Sequence, residues 1–372
     1  RGGRGGGAAV GRPGTPGGRT GVKAHADGGP RLPDDRPTAP VRPAAAPAWA
    51  APALESLLTR VAVTRAEVGD RFPLHADPET GTWRTTARGS WTGGFWAGLL
   101  WLRARCTGDT ADREAARACT ARLAHWTGAD TATRGLIFWY GTVLADDDLE
   151  LRDRAARACL DAFDTESGLV PWGSAFGGPR LLARVDGVPG MVPLLATVDA
   201  EAARSHLGRH LDLCLGTRPP RWAWRHDPGT GWTACADPPP GWSRGPAWLL
   251  LALAEAARLP GADLSGYVDT LVADRLVPPA DTARPDGPRD TSAAAVTALA
   301  LLRLGRRERA VTVLEELVGS HLTADGRLLD GCYDLAAGTA VRHELVWGDF
   351  FLAYALAELT GHGAVGADRP VP

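Results

Sequence analysis

Three kinds of residue in this chain are equipped for chemistry: aspartates ahead of apolar runs, tryptophans beside glycines, and a histidine pair four residues apart. Asp186 lies in VDGVPG (Val185 to Gly190), Asp290 opens DTSAAA (Asp290 to Ala295) and Asp349 stands in VWGDFF (Val346 to Phe351). An aspartate before a helix accepts hydrogen bonds from the first free N–H groups, so capping is the default role for all three. Tryptophan and glycine recur together in WTGGFW (Trp91 to Trp96) and WSRGPAW (Trp242 to Trp248), and glycine again in TRGL (Thr133 to Leu136). Indole faces stack on sugar rings as well as pack cores, so Trp91, Trp172 and Trp242 are candidate walls of a sugar site, with core packing as the competing role for each. His206 and His210 share a helix face, but two histidines without a third ligand point to a surface pair rather than a metal site. The six cysteines (Cys106, Cys119, Cys159, Cys214, Cys235, Cys332) form no CxxC and no Cys/His cluster at zinc spacing, and most read as buried thiols.

These residues must be held by helices. Leu54, Leu57, Leu58 and Val61 recur at three and four, as do Leu249, Leu250, Leu253 and Ala257, and no long stretch alternates with period two. Apolar runs and their Gly, Pro and Asp punctuation predict about twelve helices, near 53–69, 92–107, 110–126, 135–146, 148–163, 189–199, 200–216, 245–258, 262–276, 290–304, 306–321 and 347–360. Connections of roughly 8 to 28 residues alternate with turns of roughly 1 to 4, which is the pattern of antiparallel helical hairpins. Six hairpins with long loops at one end and short turns at the other predict an all-α fold, a closed (α/α)6 toroid whose inner helices are entered from the long-loop end. An open solenoid would show a self-similar repeat, and none is visible. The motifs above sit where long loops meet the next helix, so the toroid gathers them at one mouth. Six helix N-termini aimed at a shared cavity favour an anionic ligand.

Composition narrows the classes. The chain has 372 residues, of which 44% are hydrophobic and 23% charged, enough for a large core. Its net charge of -2, from 41 basic and 43 acidic side chains, gives no basis for capture of nucleic acid or an anionic membrane. No run of about 18 apolar residues is present to span a bilayer. Residues 1 to about 50 are Gly, Pro, Ala and Arg with few large apolar side chains; a disordered extension is expected there, followed by one domain over 51–362 and a tail over 363–372. This stretch shows neither the apolar core of a secretory signal nor a twin-arginine pattern, and a cytoplasmic location is the expectation. Asp146 to Asp148 read as a surface turn, which argues against a magnesium-dependent terpenoid-type toroid.

Four segments, WTGGFWAGLLWL, WSRGPAW, DTSAAAVTALALL and VWGDFFLAYAL, resemble in the same order signature segments of the unsaturated glucuronyl hydrolase family, over about 70–360. The resemblance implies an (α/α)6 barrel, no metal or nucleotide cofactor, and an anionic oligosaccharide ending in a 4,5-unsaturated uronic acid as the substrate. It also implies an acid that protonates C4 of the double bond and activates water for addition to C5, after which the hydrated sugar opens spontaneously. The spacing rule for paired carboxylates of ordinary glycosidases does not apply to such chemistry.

Carried over by motif, Asp186 in RVDGVPGMVPLL matches the family's general acid/base, with one extra residue before Pro193. Arg244 in WSRG matches an arginine at the sugar site, whose fork would bind the uronate carboxylate, against a loop salt bridge as the plainer role. Trp91 matches an aromatic of the first signature. Departures are equally specific. The family's His-Asp-x-Gly-Phe reads here as Ala132, Thr133, Arg134, Gly135 and Leu136, so its second active-site aspartate is missing; Asp130 is the candidate substitute, against a solvated loop aspartate. Trp222 stands where a family histidine is expected. The sequence therefore predicts a cavity lined by Trp91, Trp172, Trp222 and Arg244 within reach of Asp186, in a hydrolase of unsaturated uronyl oligosaccharides or a catalytically lapsed protein that binds them.

Overall fold

The computed structural model describes residues 45–145, 149–257, 259 and 265–362, so the expected N-terminal extension up to residue 44, the tail over 363–372 and the Asp146 to Asp148 turn lie outside the described residues. Twelve α-helices are present among the described residues: α1 Ala50–Val68, α2 Gly93–Thr107, α3 Thr110–Ala121, α4 Tyr140–Thr142, α5 Glu150–Asp161, α6 Met191–Ala196, α7 Ala200–Leu215, α8 Arg244–Ala256, α9 Ser265–Leu271, α10 Thr291–Arg303, α11 Arg307–Ser320 and α12 Val346–Thr360. The even-numbered helices form a closed inner ring. α2 packs on α4, the π turn Gly135–Trp139 ahead of α4 packs on α6, α6 packs on α8, α8 on α10, α10 on α12, and α12 returns to α2. Each inner helix carries an outer partner, and the ring is sealed by the first helix, α1, lying against the last, α12. The fold is an (α/α)6 barrel.

Burial explains which helices go where. α12 is apolar on every side and is buried from Val346 through Ala357, as a helix surrounded by neighbours requires. α3 has only Asp112, Ala116, Cys119 and Thr120 buried, one stripe at helical spacing, with the rest facing outward. Cys119, Cys159, Cys214 and Cys332 are buried free thiols, and burial pushes Cys119 and Cys214 up to about 12.

The motif glycines answer to contact at the mouth. A Cβ on Gly94 would stand 2.3 Å from the carbonyl oxygens of Leu136 and Ile137, so α2 and the π turn approach at a distance that only glycine permits. On the other side of that turn a Cβ on Gly135 would meet the Met191 nitrogen at 2.3 Å. The sequence predicted an ordinary helix over 135–146; the chain instead opens it with a π turn and shortens it, because this inner element is squeezed between α2 and α6.

Two small antiparallel sheets lie within the long connections, where the sequence pattern announced only loops. One orders β2 (Trp83–Thr86), β1 (Phe72–Ala76) and β6 (Glu344–Leu345). The other orders β3 (Leu182–Arg184), β4 (Ala223–Asp227) and β5 (Gly231–Ala234). Strands of two to five residues are too short for alternation to register. The second sheet matters for the site, because β3 runs directly into Asp186.

Candidate active site

Asp186 sits in a 3-10 turn, Val185–Gly187, between β3 and α6. Four constraints fix that turn. β3 pairs with β4 so that Arg184 lies opposite Ala223, and the Val185 N–H donates to the Trp222 carbonyl at 2.9 Å. Behind the turn, His206 Nε2 donates to the Gly187 carbonyl at 3.4 Å while its Nδ1 accepts from the Val170 N–H at 3.1 Å, which sets the tautomer. Glu255, from α8 in the barrel, accepts from the Gly190 N–H at 2.8 Å and from the Tyr140 hydroxyl at 2.6 Å, anchoring the entry to α6. The aspartate itself is one-fifth exposed in its side chain, and neither oxygen caps the following helix; both accept from Arg184, Oδ1 from Nε at 3.1 Å and Oδ2 from Nη2 at 3.4 Å.

His206 and His210 are therefore not the surface pair expected from the sequence. They are 0% and 2% exposed, with ring centres 4.6 Å apart, and His210 Nδ1 donates to the His206 carbonyl. Burial drives His206 well below the usual imidazole range and His210 down to about 4, so both are neutral, and His206 supports the Asp186 turn. Among the described residues no group of three His, Cys, Asp or Glu is arranged to hold a metal ion.

Two adjoining cavities open beside Asp186. The first, of about 270 Å³, is lined by Arg184, Asp237, Trp242, Arg244, Asp290 and Tyr333, among others. The second, of about 580 Å³, is lined by Trp172, Phe176, Arg184, Arg225 and Asp237, among others. Arg184 and Asp237 belong to both walls. Asp186 is in the lining of neither and meets them through Arg184, whose guanidinium also lies 5.0 Å from the centre of the Trp172 ring.

The four residues expected around a single cavity are divided. Trp172 lines the larger cavity and Arg244 the smaller. Trp222 is 3% exposed; it donates from Nε1 to the Pro240 carbonyl at 2.9 Å and packs on Gly245, where a Cβ would come within 2.4 Å of its ring. It supports the site from behind. Trp91 lies beyond Tyr333, its ring 6.5 Å away and nearly parallel, and 5.0 Å from Trp347. Arg244 is held by the protein: Nη1 donates to Asp290 Oδ2 at 2.5 Å and to the Cys332 carbonyl, and Nη2 donates to the Tyr333 carbonyl at 2.7 Å. Asp290 is fully buried and its other oxygen caps α10 through the Ser292 N–H, as its position before the helix suggested.

Hydroxyls stand where the resemblance places a second carboxylate. Thr133 is buried and its Oγ1 lies 2.9 Å from Thr131 Oγ1, while Ala132 packs under Gly187 and donates its N–H to the Trp172 carbonyl. Asp130 is engaged elsewhere. Its Oδ2 accepts from the Ser174 N–H at 3.1 Å and hydroxyl at 3.0 Å, with Arg180 Nε at 3.3 Å, so it ties down the loop that carries Phe176. Asp349 lies deep in the wall near Glu344, which Arg60 grips through two hydrogen bonds; burial, with the Glu344 charge beside it, raises Asp349 well above the usual carboxylate range. Arg184 is the residue the motifs did not reveal. Its only sequence signal is its place two residues before Asp186.

One curated relative, the unsaturated glucuronyl hydrolase of Bacillus sp. (strain GL1), is 26% identical over 351 residues, covering 78% of this chain and 91% of its own. Over most of its length the chain is similar to the unsaturated glucuronyl hydrolases. No family model matches it. Among solved structures, the unsaturated glucuronyl hydrolase from Bacillus sp. GL1, described as responsible for the degradation of glycosaminoglycan, superposes with a TM-score of 0.72 at 22% identity, covering 84% of this chain and 98% of its own. A variant of the Streptococcus agalactiae unsaturated glucuronyl hydrolase, complexed with dGlcA-GalNAc6S, gives 0.66 at 17% identity, covering 84% of this chain and 91% of its own. Both share the (α/α)6 fold. No helix among the described residues is long and apolar enough to cross a membrane.

Proposed function

We propose that this chain is a glycoside hydrolase that releases a terminal 4,5-unsaturated uronic acid from lyase-generated oligosaccharides, with Asp186 as general acid and base. The observation that carries this reading is the placement of Asp186: a carboxyl fixed through its own backbone on a turn at the barrel mouth, one ion pair from two cavities with an aromatic wall. In the reaction the Asp186 carboxyl gives its proton to C4, and its carboxylate then takes a proton from the water that adds to C5. The hydrated sugar opens and releases the remaining saccharide. Trp172 offers an indole face for the ring. The chemistry needs one carboxyl cycling a proton rather than a nucleophile and acid at a set separation, so the loss of a carboxylate at Thr133 removes an accessory group and not the acid. The test is turnover of a panel of lyase-generated unsaturated disaccharides by the purified protein, followed as loss of the ultraviolet absorbance of the conjugated double bond.

The Thr131 and Thr133 hydroxyl pair favours a second reading, a lapsed enzyme that binds unsaturated oligosaccharides without hydrating them. Binding by calorimetry with no absorbance loss across the same panel would select it. Thr133→Asp separates the two further: where the lost carboxylate limits the reaction, restoring it raises turnover.

A further inference from the structure

We propose that the uronate carboxylate of the substrate is bound by Arg184, and not by Arg244 of the WSRG motif. This rests on the reading of the chain as a protein for unsaturated uronyl oligosaccharides and assigns the residue that recognises the acid group. The two guanidiniums differ in what each has left to offer. Three of the five N–H donors of Arg244 go to Asp290, Cys332 and Tyr333, its charge is matched by a fully buried aspartate, and its side chain is 9% exposed. Arg184 has a side chain 22% exposed, and its Nη1 has only a 3.9 Å ion-pair contact with Asp237, whose side chain is 79% exposed and screened by solvent.

Charge balance also separates the two arginines. The closest counter-charge of Arg184 among the described residues is Asp186, the group that must carry a proton to act as the acid. With Asp186 protonated, Arg184 is a half-buried cation left with only the solvent-exposed Asp237 at 3.9 Å, and a substrate carboxylate restores the balance. Arg244 keeps its partner whatever the state of Asp186.

The substrate's own geometry favours Arg184 as well. The carboxylate hangs on C5, next to the C4 that receives the proton, so the group that holds it must stand within a few bond lengths of the acid. Arg184 is 3.1 Å from Asp186, lies in the wall of both cavities, and is braced by the Trp172 ring beneath it. Arg225, which also lines the larger cavity, is exposed on β4, two residues further from the turn along the strand pair, opposite Leu182. A guanidinium held at one edge by a carboxylate and on one face by a ring is preorganised for a bidentate bond from its free edge to a planar carboxylate.

The test compares a lyase-generated unsaturated disaccharide with its carboxyl methyl ester, on wild type, Arg184→Gln and Arg184→Lys. The glutamine variant is expected to lower the acid-to-ester ratio of kcat/KM by roughly thirtyfold or more, and the lysine variant to recover part of it. Loss of activity on acid and ester alike, or an unchanged ratio, overturns the assignment. If wild type turns over neither compound, calorimetry with the free-acid disaccharide decides: binding that Arg184→Gln or Arg184→Lys weakens keeps Arg184 as the carboxylate receptor while the hydrolase reading falls. Binding that neither variant weakens overturns the receptor alone, and no binding by wild type overturns both.

Discussion

At the scale of single residues, the mouth of this barrel separates side chains that look alike in sequence. Two arginines stand near two aspartates; one pair, Arg244 with Asp290, closes a buried clamp across α8, α10 and the segment holding Cys332, while the other, Arg184 with Asp186, places its arginine in the walls of both cavities. If Arg244 only bound the uronate carboxylate, Arg244→Ala would mainly weaken substrate binding. The structure changes that expectation, because the truncation strands a fully buried Asp290 carboxylate and two carbonyls: Arg244→Ala should lose about 3–5 kcal/mol of folding stability, read by denaturant unfolding. Unaltered stability would mean that the clamp does not bear on folding. Asp130 makes the opposite case. It is partly exposed and holds Ser174 and Arg180, so Asp130→Ala should raise the proteolytic sensitivity of the 174–180 loop with stability changed by less than about 1 kcal/mol.

At the scale of elements, the decisive contacts are those between inner helices at their mouth ends. Gly94→Ala should destabilise the fold by about 3 kcal/mol, since the new methyl meets two carbonyl oxygens of the π turn that cannot yield without shifting α4; a melting temperature equal to wild type would contradict the packing. The helices themselves were legible because their two classes write different patterns: VWGDFFLAYAL is apolar on all faces and belongs inside the ring, whereas TADREAARACTA carries one stripe and belongs outside. The π turn was not legible, because it arises from compression between α2 and α6 rather than from the residues of Gly135 to Trp139. Nor were the sheets, whose strands run two to five residues. At the site, Asp186 stood out through its motif, while Arg184 was hidden in a three-residue strand of a chain whose basic side chains are nearly all arginine. His206 and His210 misled as a surface pair because helical spacing gives a face and not its surroundings.

At the scale of the whole molecule, the sealed ring makes the stability of the mouth and of the core one property, and the buried histidines give it a pH signature. His210 titrates near 6.5 when unfolded and at about 4 in the fold, so unfolding takes up a proton as pH falls below 6.5. The contribution is full above that value and is lost as pH drops towards 4. It amounts to about 2 kcal/mol less stability at pH 5 from His210 alone, with His206 adding in the same direction. His210→Gln should flatten this slope in denaturant titrations at pH 7 and pH 5; an unchanged slope would place the uptake elsewhere.

In the proposed function a closed helical ring with one mobile proton at its mouth hydrates an unsaturated uronic acid, and Asp186→Asn tests this most directly. The variant preserves the shape of the side chain and removes the proton it cycles. On a lyase-generated unsaturated disaccharide, wild type should remove the double-bond absorbance while Asp186→Asn shows turnover lower by about a thousandfold or more and still binds the sugar by calorimetry. Equal, nonzero turnover by the two proteins would contradict the account, because the acid would then lie somewhere other than at Asp186.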